Sequence, residues 1–510
     1  MNPIDNTKDV NYNREVNGFM GHPRPLRPLF FTEFWERFSF YGIRAILVLF
    51  MTALIRNGGL GLDAHSAGAI IGIFAGSVYL VALPGGWLAD NWLGQRRAIW
   101  YGSVLMAFGH LSIALMGIAG TRMFYIGLVL ICLGSGLFKT CISVMVGSLY
   151  KEGDSRRDAG FSIFYMGINL GAFIAPLLTG WFAARNQWHI GFGIGGLGML
   201  IALIIFRVFA IPYIERYNKI LKGDEFWGRP KNYSPLVAPI LTGLTLAFIV
   251  YVYLLDTGYF TFNPVLVASW LAVLTGVFIL VYFFTIMIFG KLTSMERKKL
   301  WLCLALLVTA ACFWAAFEQQ PTSYNLFAEH YTNLVYFGFT VPVGWIQSIN
   351  SLFVISLAPL FAYIWFALER RNVNFSFTAK FVAALICGAL GFTVMLFAAL
   401  QVISSGASVS LLWIVVSLFL LTCGELLLSP IGLSAMSELA PSSMKSQMMG
   451  LWFGGSALGN VIAGLIGGNV HADSINDLPN LFGSVVVALV VCAIILILVA
   501  IPINRLIKKG

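Results

Sequence analysis

Charge is scarce in this chain. Only 11% of its 510 residues are Asp, Glu, Lys or Arg, 59% are hydrophobic, and mean hydropathy is +0.84. A soluble globular domain carries about 25% charged residues. A water-facing surface over most of the chain is therefore excluded, whereas a lipid-facing one needs only runs of ~20 apolar residues. Cysteine is also rare. Cys132, Cys141, Cys303, Cys312, Cys387, Cys423 and Cys492 all fall inside apolar runs without metal-site spacing, and read as small buried apolar residues. There is no H-E-x-x-H, no G-x-S-x-G and no cluster of histidine ligands, which argues against a membrane-embedded enzyme, a metal or a cofactor. The polar first stretch has no apolar core before a small-residue cleavage site, so no cleavable signal is expected there.

What the chain does have is apolar runs, at roughly 29–56, 66–89, 97–117, 121–148, 158–183, 188–211, 235–254, 264–287, 298–320, 343–367, 378–402, 409–436, 446–471 and 478–505. Each is long enough to cross a bilayer with some tilt, so about fourteen helices of an all-α polytopic membrane protein are expected. The net charge of +10 sits in short clusters between runs, which speaks for membrane orientation and against a nucleic-acid face. One set of connections holds Arg96 and Arg97; Lys151, Arg156 and Arg157; Arg216, Lys219, Lys222, Arg229 and Lys231; Arg297, Lys298 and Lys299; Arg370 and Arg371; and Lys445. The tails add Arg14, Arg24 and Arg27, then Arg505, Lys508 and Lys509, while the opposite set holds little beyond Arg56, Arg122 and Arg185. The positive-inside rule then places both termini in the cytoplasm.

The organisation follows from these runs. Residues 1–28 form an N-terminal tail, 29–211 a six-helix bundle, 212–234 a basic cytoplasmic linker, 235–290 an inserted two-helix hairpin, 291–505 a second six-helix bundle, and 506–510 a short tail. Six plus six around a cytoplasmic loop is the layout of the major facilitator superfamily, in which the substrate site lies near the midplane between the halves.

A charge at a helix centre costs roughly 2.5–3.5 kcal/mol, so each one calls for a reason. The first run holds Glu33, Glu36, Arg37 and Arg44. At about 100° per residue Arg37 and Arg44 lie ~40° and ~20° from Glu33, Glu36 lies ~60° to the other side, and Tyr41 ~80° round. The charges form one stripe that must face a wet or protein-lined interior; the alternative is an ion-pair cluster that locks helices together. Further along come Lys139 between Ser135 and Ser143; Tyr165 and Asn169; Trp314 and Glu318; Gln347 and Asn350; Glu425 and Ser429; and Trp452. Any of these alone could be interhelical glue worth ~0.6 kcal/mol. The first half supplies cations (Arg44, Lys139) and the second anions (Glu318, Glu425), a set suited both to an alternating gate and to a zwitterion. Trp314, Trp452, Tyr41 and Tyr79 would serve as pocket walls.

The stretch Glu33-Phe-Trp-Glu36-Arg37-Phe-Ser-Phe-Tyr41-Gly42 resembles the first membrane span of the proton-dependent oligopeptide transporters. Gly86-Trp-Leu-Ala-Asp90-Asn-Trp-Leu-Gly94, Phe164-Tyr165-Met-Gly-Ile-Asn169-Leu-Gly171, Phe313-Trp314-Ala-Ala-Phe-Glu318-Gln319 and Gly424-Glu425-Leu-Leu-Leu-Ser429-Pro430 extend the resemblance over nearly the whole chain. The resemblance, to the bacterial type, implies proton-coupled symport of di- and tripeptides, and of peptide-mimetic drugs, by a monomer in the lipid of a bacterial inner membrane, without nucleic acid. Glu33, Glu36, Arg37 and Glu318 would couple protons. Arg44–Glu318 and Lys139–Glu425 would be gating salt bridges. Arg44 and Lys139 would hold the peptide carboxylate; Glu425, Asn169 and Asn350 its amino group; Tyr41, Tyr79, Trp314, Ser429 and Trp452 would line the pocket. Phe40 and Ser351 depart from the usual tyrosine and proline, and no histidine lies within the second span, so coupling is expected to rest on carboxylates. Another symporter of the same architecture, for nitrate, drugs or sugars, is the nearest alternative; a peptide receptor that moves nothing is a further one.

Overall fold

The computed structural model describes residues 15–150, 154, 156–221, 239, 243, 250, 261–290, 292–371, 373, 375–441, 444–469 and 475–508. In lipid every backbone N–H and C=O must be satisfied within its own segment, and the chain answers with helices almost throughout. They are α1 (Leu26–Thr52), α2 (Ala64–Leu88), α3 (Gln95–Ala114), α4 (Arg122–Gly147), α5 (Arg157–Ala183), α6 (Trp188–Ile205), α7 (Pro264–Phe289), α8 (Ser294–Phe317), α9 (Ile346–Arg370), α10 (Phe377–Ser405), α11 (Leu412–Leu439), α12 (Lys445–Gly467) and α13 (Leu478–Lys508). Eleven of these, some lengthened by their continuations, are long and apolar enough to cross a membrane. The other two are α1, which carries Arg27, Glu33, Glu36, Arg37 and Arg44, and α3. The remaining expected span, 235–254, apart from residues 239, 243 and 250, and the linker beyond residue 221 lie outside the described residues.

Sequence patterns end two spans too early. α6 runs on through a π turn (Phe206–Ala210) into Ile211–Leu221. α8 was expected to stop near residue 320, where Glu318-Gln-Gln-Pro321 breaks the apolar pattern. Instead a π turn at Gln320–Tyr324 absorbs Pro321 and the helix resumes over Asn325–Tyr331. A π turn widens the backbone locally and relieves the proline's missing N–H. Beyond it two short strands, Val335–Tyr336 and Phe339–Thr340, pair as a hairpin. Its turn residues Phe337 and Gly338 both have positive φ (52° and 79°), the signature of a type I′ turn. α8 starts on a capping box in which Thr293 and Glu296 bond reciprocally.

The chain divides into two compact units. The first comprises residues through Phe40, Val81–Gly171 and Phe192–Pro264. Its core gathers Leu29, Phe138, Met145, Phe164, Phe206 and Ile214. α3 and α4 meet through glycine: a Cβ on Gly102 would stand 2.6 Å from the Gly134 carbonyl oxygen, and one on Gly109 2.8 Å from that of Gly127. Small residues at such crossings let backbones close in and pack by van der Waals contact, the main attraction available between helices in lipid. The stretch before α1 is tied to this unit. Arg24 pairs with Glu15 at 2.6 Å and stacks over Tyr213 at 4.2 Å. Arg156 pairs with Asp154 at 2.9 Å and donates to Asn17 Oδ1 at 2.8 Å and the Gly21 carbonyl at 3.2 Å. The buried His22 Nδ1 lies 3.0 Å from the Tyr150 hydroxyl.

The second unit comprises Tyr41–Leu80, Ala172–Gly191 and Val265–Gly510. Within it the first half of α2 lies on α12. A Cβ on Gly68 would come 2.6 Å from the Gly464 carbonyl oxygen, one on Gly72 2.9 Å from that of Val461, and one on Gly76 3.0 Å from that of Ala457. Side chains that follow the π turn or open α9 donate to carbonyls of α1 and α5: Asn325 to Ala45 (3.0 Å), Trp345 to Leu177 (2.9 Å) and Ser348 to Phe173 (2.7 Å).

Candidate functional site

The first unit holds the charges of α1's inner stripe. Arg37 Nε donates to Glu33 Oε1 at 2.7 Å and stands 2.8 Å from Glu36 Oε2, the latter in ion-pair range but off hydrogen-bond geometry. All three are at most 4% exposed. One guanidinium serves two carboxylates, and Glu33 Oε2 and both Glu36 oxygens lack a hydrogen bond among the described residues. Lys139 on α4 lies within electrostatic reach of Glu36. Asn169, 8% exposed, donates to the Tyr165 carbonyl at 3.0 Å, which realises the four-residue spacing read from the sequence. His110 is buried against Ser39 (2.6 Å) and reads as a structural partner.

The second unit holds the opposite arrangement. Arg44, one end of the stripe, forms a buried ion pair with Glu318, the C-cap residue of α8. The Tyr41 ring lies 6.0 Å from the guanidinium, and Tyr79 is also near enough to act on that charge. Glu425 on α11 feels both Glu318 and Arg44 electrostatically and accepts from Asn350 Nδ2 at 3.2 Å. Trp314 lies edge-on to Phe313 and Phe317, with its buried Nε1 lacking a partner among the described residues. Ser429 is half-buried one turn beyond Glu425. Trp452 is only 4% exposed and lies over Gly432 and Phe381. Lys139 and Glu425 fall in different units.

The sequence reading overlooked two residues here. Thr422, fully buried on α11, accepts from Asn350 Nδ2 at 2.9 Å. Asn325 bonds α1 next to Arg44. Thr422 sits three positions before Glu425 and so shares its face of α11, but a lone threonine in an apolar run carries no signal of its own.

Buried charges of both signs on the spans of a multi-pass helical protein mark a pathway for ions or substrate; with the likeness to solved peptide transporters they place the chain in the class of secondary transporters with the major facilitator fold. The POT family model matches residues 96–225 and 258–481, and the chain belongs to that family. It is 55% identical to the peptide transporter YePEPT of Yersinia enterocolitica subsp. palearctica over 96% of both chains. It is 38% identical to the di-/tripeptide transporter of Lactococcus lactis subsp. cremoris, over 87% of this chain and 88% of that one. A crystal structure of a peptide transporter POT in complex with sulfate superposes with a TM-score of 0.87 at 37% identity, covering 98% of this chain and 99% of that one.

Proposed function

We propose that this protein imports di- and tripeptides together with protons by alternating access, with both termini in the cytoplasm. The observation that carries the reading is the Arg44–Glu318 ion pair in electrostatic reach of Glu425, to which Asn350 donates a hydrogen bond. A zwitterion needs a cation at one end and an anion at the other, and one unit supplies both. A proton on Glu318 removes the anion that holds Arg44, and the guanidinium is then available to a peptide carboxylate. Glu425 and Asn350 receive the peptide ammonium. The Glu33–Glu36–Arg37 cluster, in which one guanidinium faces two carboxylates and Lys139 is in electrostatic reach of Glu36, takes up the coupled proton. One charge moved down 100 mV supplies about 2.3 kcal/mol, roughly 50-fold accumulation. The positive-inside pattern supports the orientation, and the relatives' names support the substrate class.

The test is uptake of labelled dialanine into proteoliposomes with and without an inward proton gradient. Gradient-dependent accumulation, competed by dipeptides but not by free alanine, is the expected result. No accumulation in tight, correctly reconstituted vesicles would reassign the fold to another substrate.

A further inference from the structure

Asn350 has an amide group with two N–H bonds, and both are engaged. Nδ2 lies 2.9 Å from Thr422 Oγ1 and 3.2 Å from Glu425 Oε2. The Thr422 hydroxyl has spent its own proton: it donates to the Leu418 carbonyl one turn back along α11, at 2.7 Å. Its oxygen is therefore left only as an acceptor. A carboxylate is an acceptor too. With acceptors on both sides, the Asn350 amide has one orientation that satisfies its neighbours, nitrogen toward α11 and oxygen away from it. The threonine matters because a side-chain amide is close to symmetric in shape, and only its partners decide which end is which.

We infer that Thr422 is a positioning residue for the ammonium end of the substrate. It does not reach the peptide itself. It holds Asn350 so that the amide oxygen, together with the second oxygen of Glu425, presents acceptors to an alkylammonium. The inference rests on the assignment of Asn350 and Glu425 to the peptide amino group made above. Three features favour this role over packing alone. Thr422 is fully buried, so its hydroxyl has no water to serve. Its donor is consumed within its own helix, which fixes its polarity. Its acceptor goes to a half-buried side chain on another helix, beside an acidic residue of the candidate site. A hydroxyl that only relieved local strain would need no such partner.

The experiment compares Thr422→Val, which keeps the shape and removes the acceptor, with Thr422→Ser, which keeps the acceptor. Thr422→Ala serves as a second hydroxyl-free variant should the valine disturb packing. Each is reconstituted, and the inhibition constants of dialanine and N-acetyl-dialanine against labelled dialanine are measured. The expected result is a rise of about tenfold in the dialanine constant for the valine and alanine variants, the worth of one well-placed hydrogen bond near a charge. The N-acetyl compound, which has no ammonium, stays unchanged, so the ratio of the two constants collapses, and serine restores it. A general structural defect would move both constants together and overturn the inference. An unchanged ratio in the valine and alanine variants, with a collapsed ratio in Glu425→Gln, would also overturn it while leaving the amino-group assignment intact. An unchanged ratio in Glu425→Gln as well would remove that assignment and the inference with it.

Discussion

Asn325 Nδ2 donates to the carbonyl oxygen of Ala45 across 3.0 Å, which ties the helix after the π turn to α1 one residue past Arg44. The side chain is fully buried and its Oδ1 also meets Gln347 Nε2 at 3.5 Å. Asn325→Ala removes both links. A loss of about 1 kcal/mol is expected, the scale of an interhelical hydrogen bond in a membrane protein. Thermal unfolding in detergent measures it, and an unchanged midpoint would show that this bond holds nothing.

Glu33→Gln tests the coupling assignment. It keeps the shape and one acceptor for Arg37 but cannot exchange a proton. Gradient-driven uptake of dialanine is expected to vanish while peptide counterflow persists. Full concentrative uptake by the variant would remove Glu33 from the coupling cluster.

The docking of residues before α1 is expected to depend on pH through His22. Burial lowers its pKa below the ordinary 6.5, the Arg156 charge adds to the drop, and Asp154 opposes it. A histidine whose folded pKa lies below its unfolded value binds fewer protons when docked, so its docking is complete above about pH 6.5 and weakens as pH falls through the window beneath. Amide protection at the Phe19–His22 bridge, measured relative to the intrinsic exchange rate at each pH, should therefore fall on acidification, and His22→Asn should abolish that dependence. A protection factor that ignores pH in the native protein would count against it.

The glycine contact of α3 with α4 gives a packing prediction. A Cβ on Gly134 would meet Met106 Cγ at 2.6 Å and Met106 N at 2.8 Å, so Gly134→Leu should cost about 3 kcal/mol or block insertion. Gly193→Ala on α6, where nothing lies within 4 Å, is the control and should leave the melting temperature in place.

The spans were legible because a charge-poor run of ~20 residues has few alternatives in a bilayer. The α1 stripe was legible because 100° arithmetic puts Glu33, Arg37 and Arg44 on one face, and the structure joins the first two directly and the third to Glu318. Boundaries failed where polar residues stayed buried. Gln319, Thr322, Ser323 and Asn325 look like a loop in sequence, yet all four are fully buried and bond to backbone or to one another. Thr422 stayed hidden because its meaning depends on Asn350, 72 residues away in the chain. The segment before α1 gave no sign of docking, since its anchors, Arg156, Tyr150 and Tyr213, lie far along the chain, the first two in the connection between α4 and α5.

The seam between α2 and α12 has a mechanical side. Gly68 and Gly72 bring bare backbone against the backbone of α12, while at Gly76 the Val461 side chain closes in. Interlocked side chains act as gear teeth, and turning one helix against another then requires rotamers to disengage. A smooth track has no teeth. Around Gly68 and Gly72 the seam is such a track, and any bulk added at those two positions would act as grit in the joint.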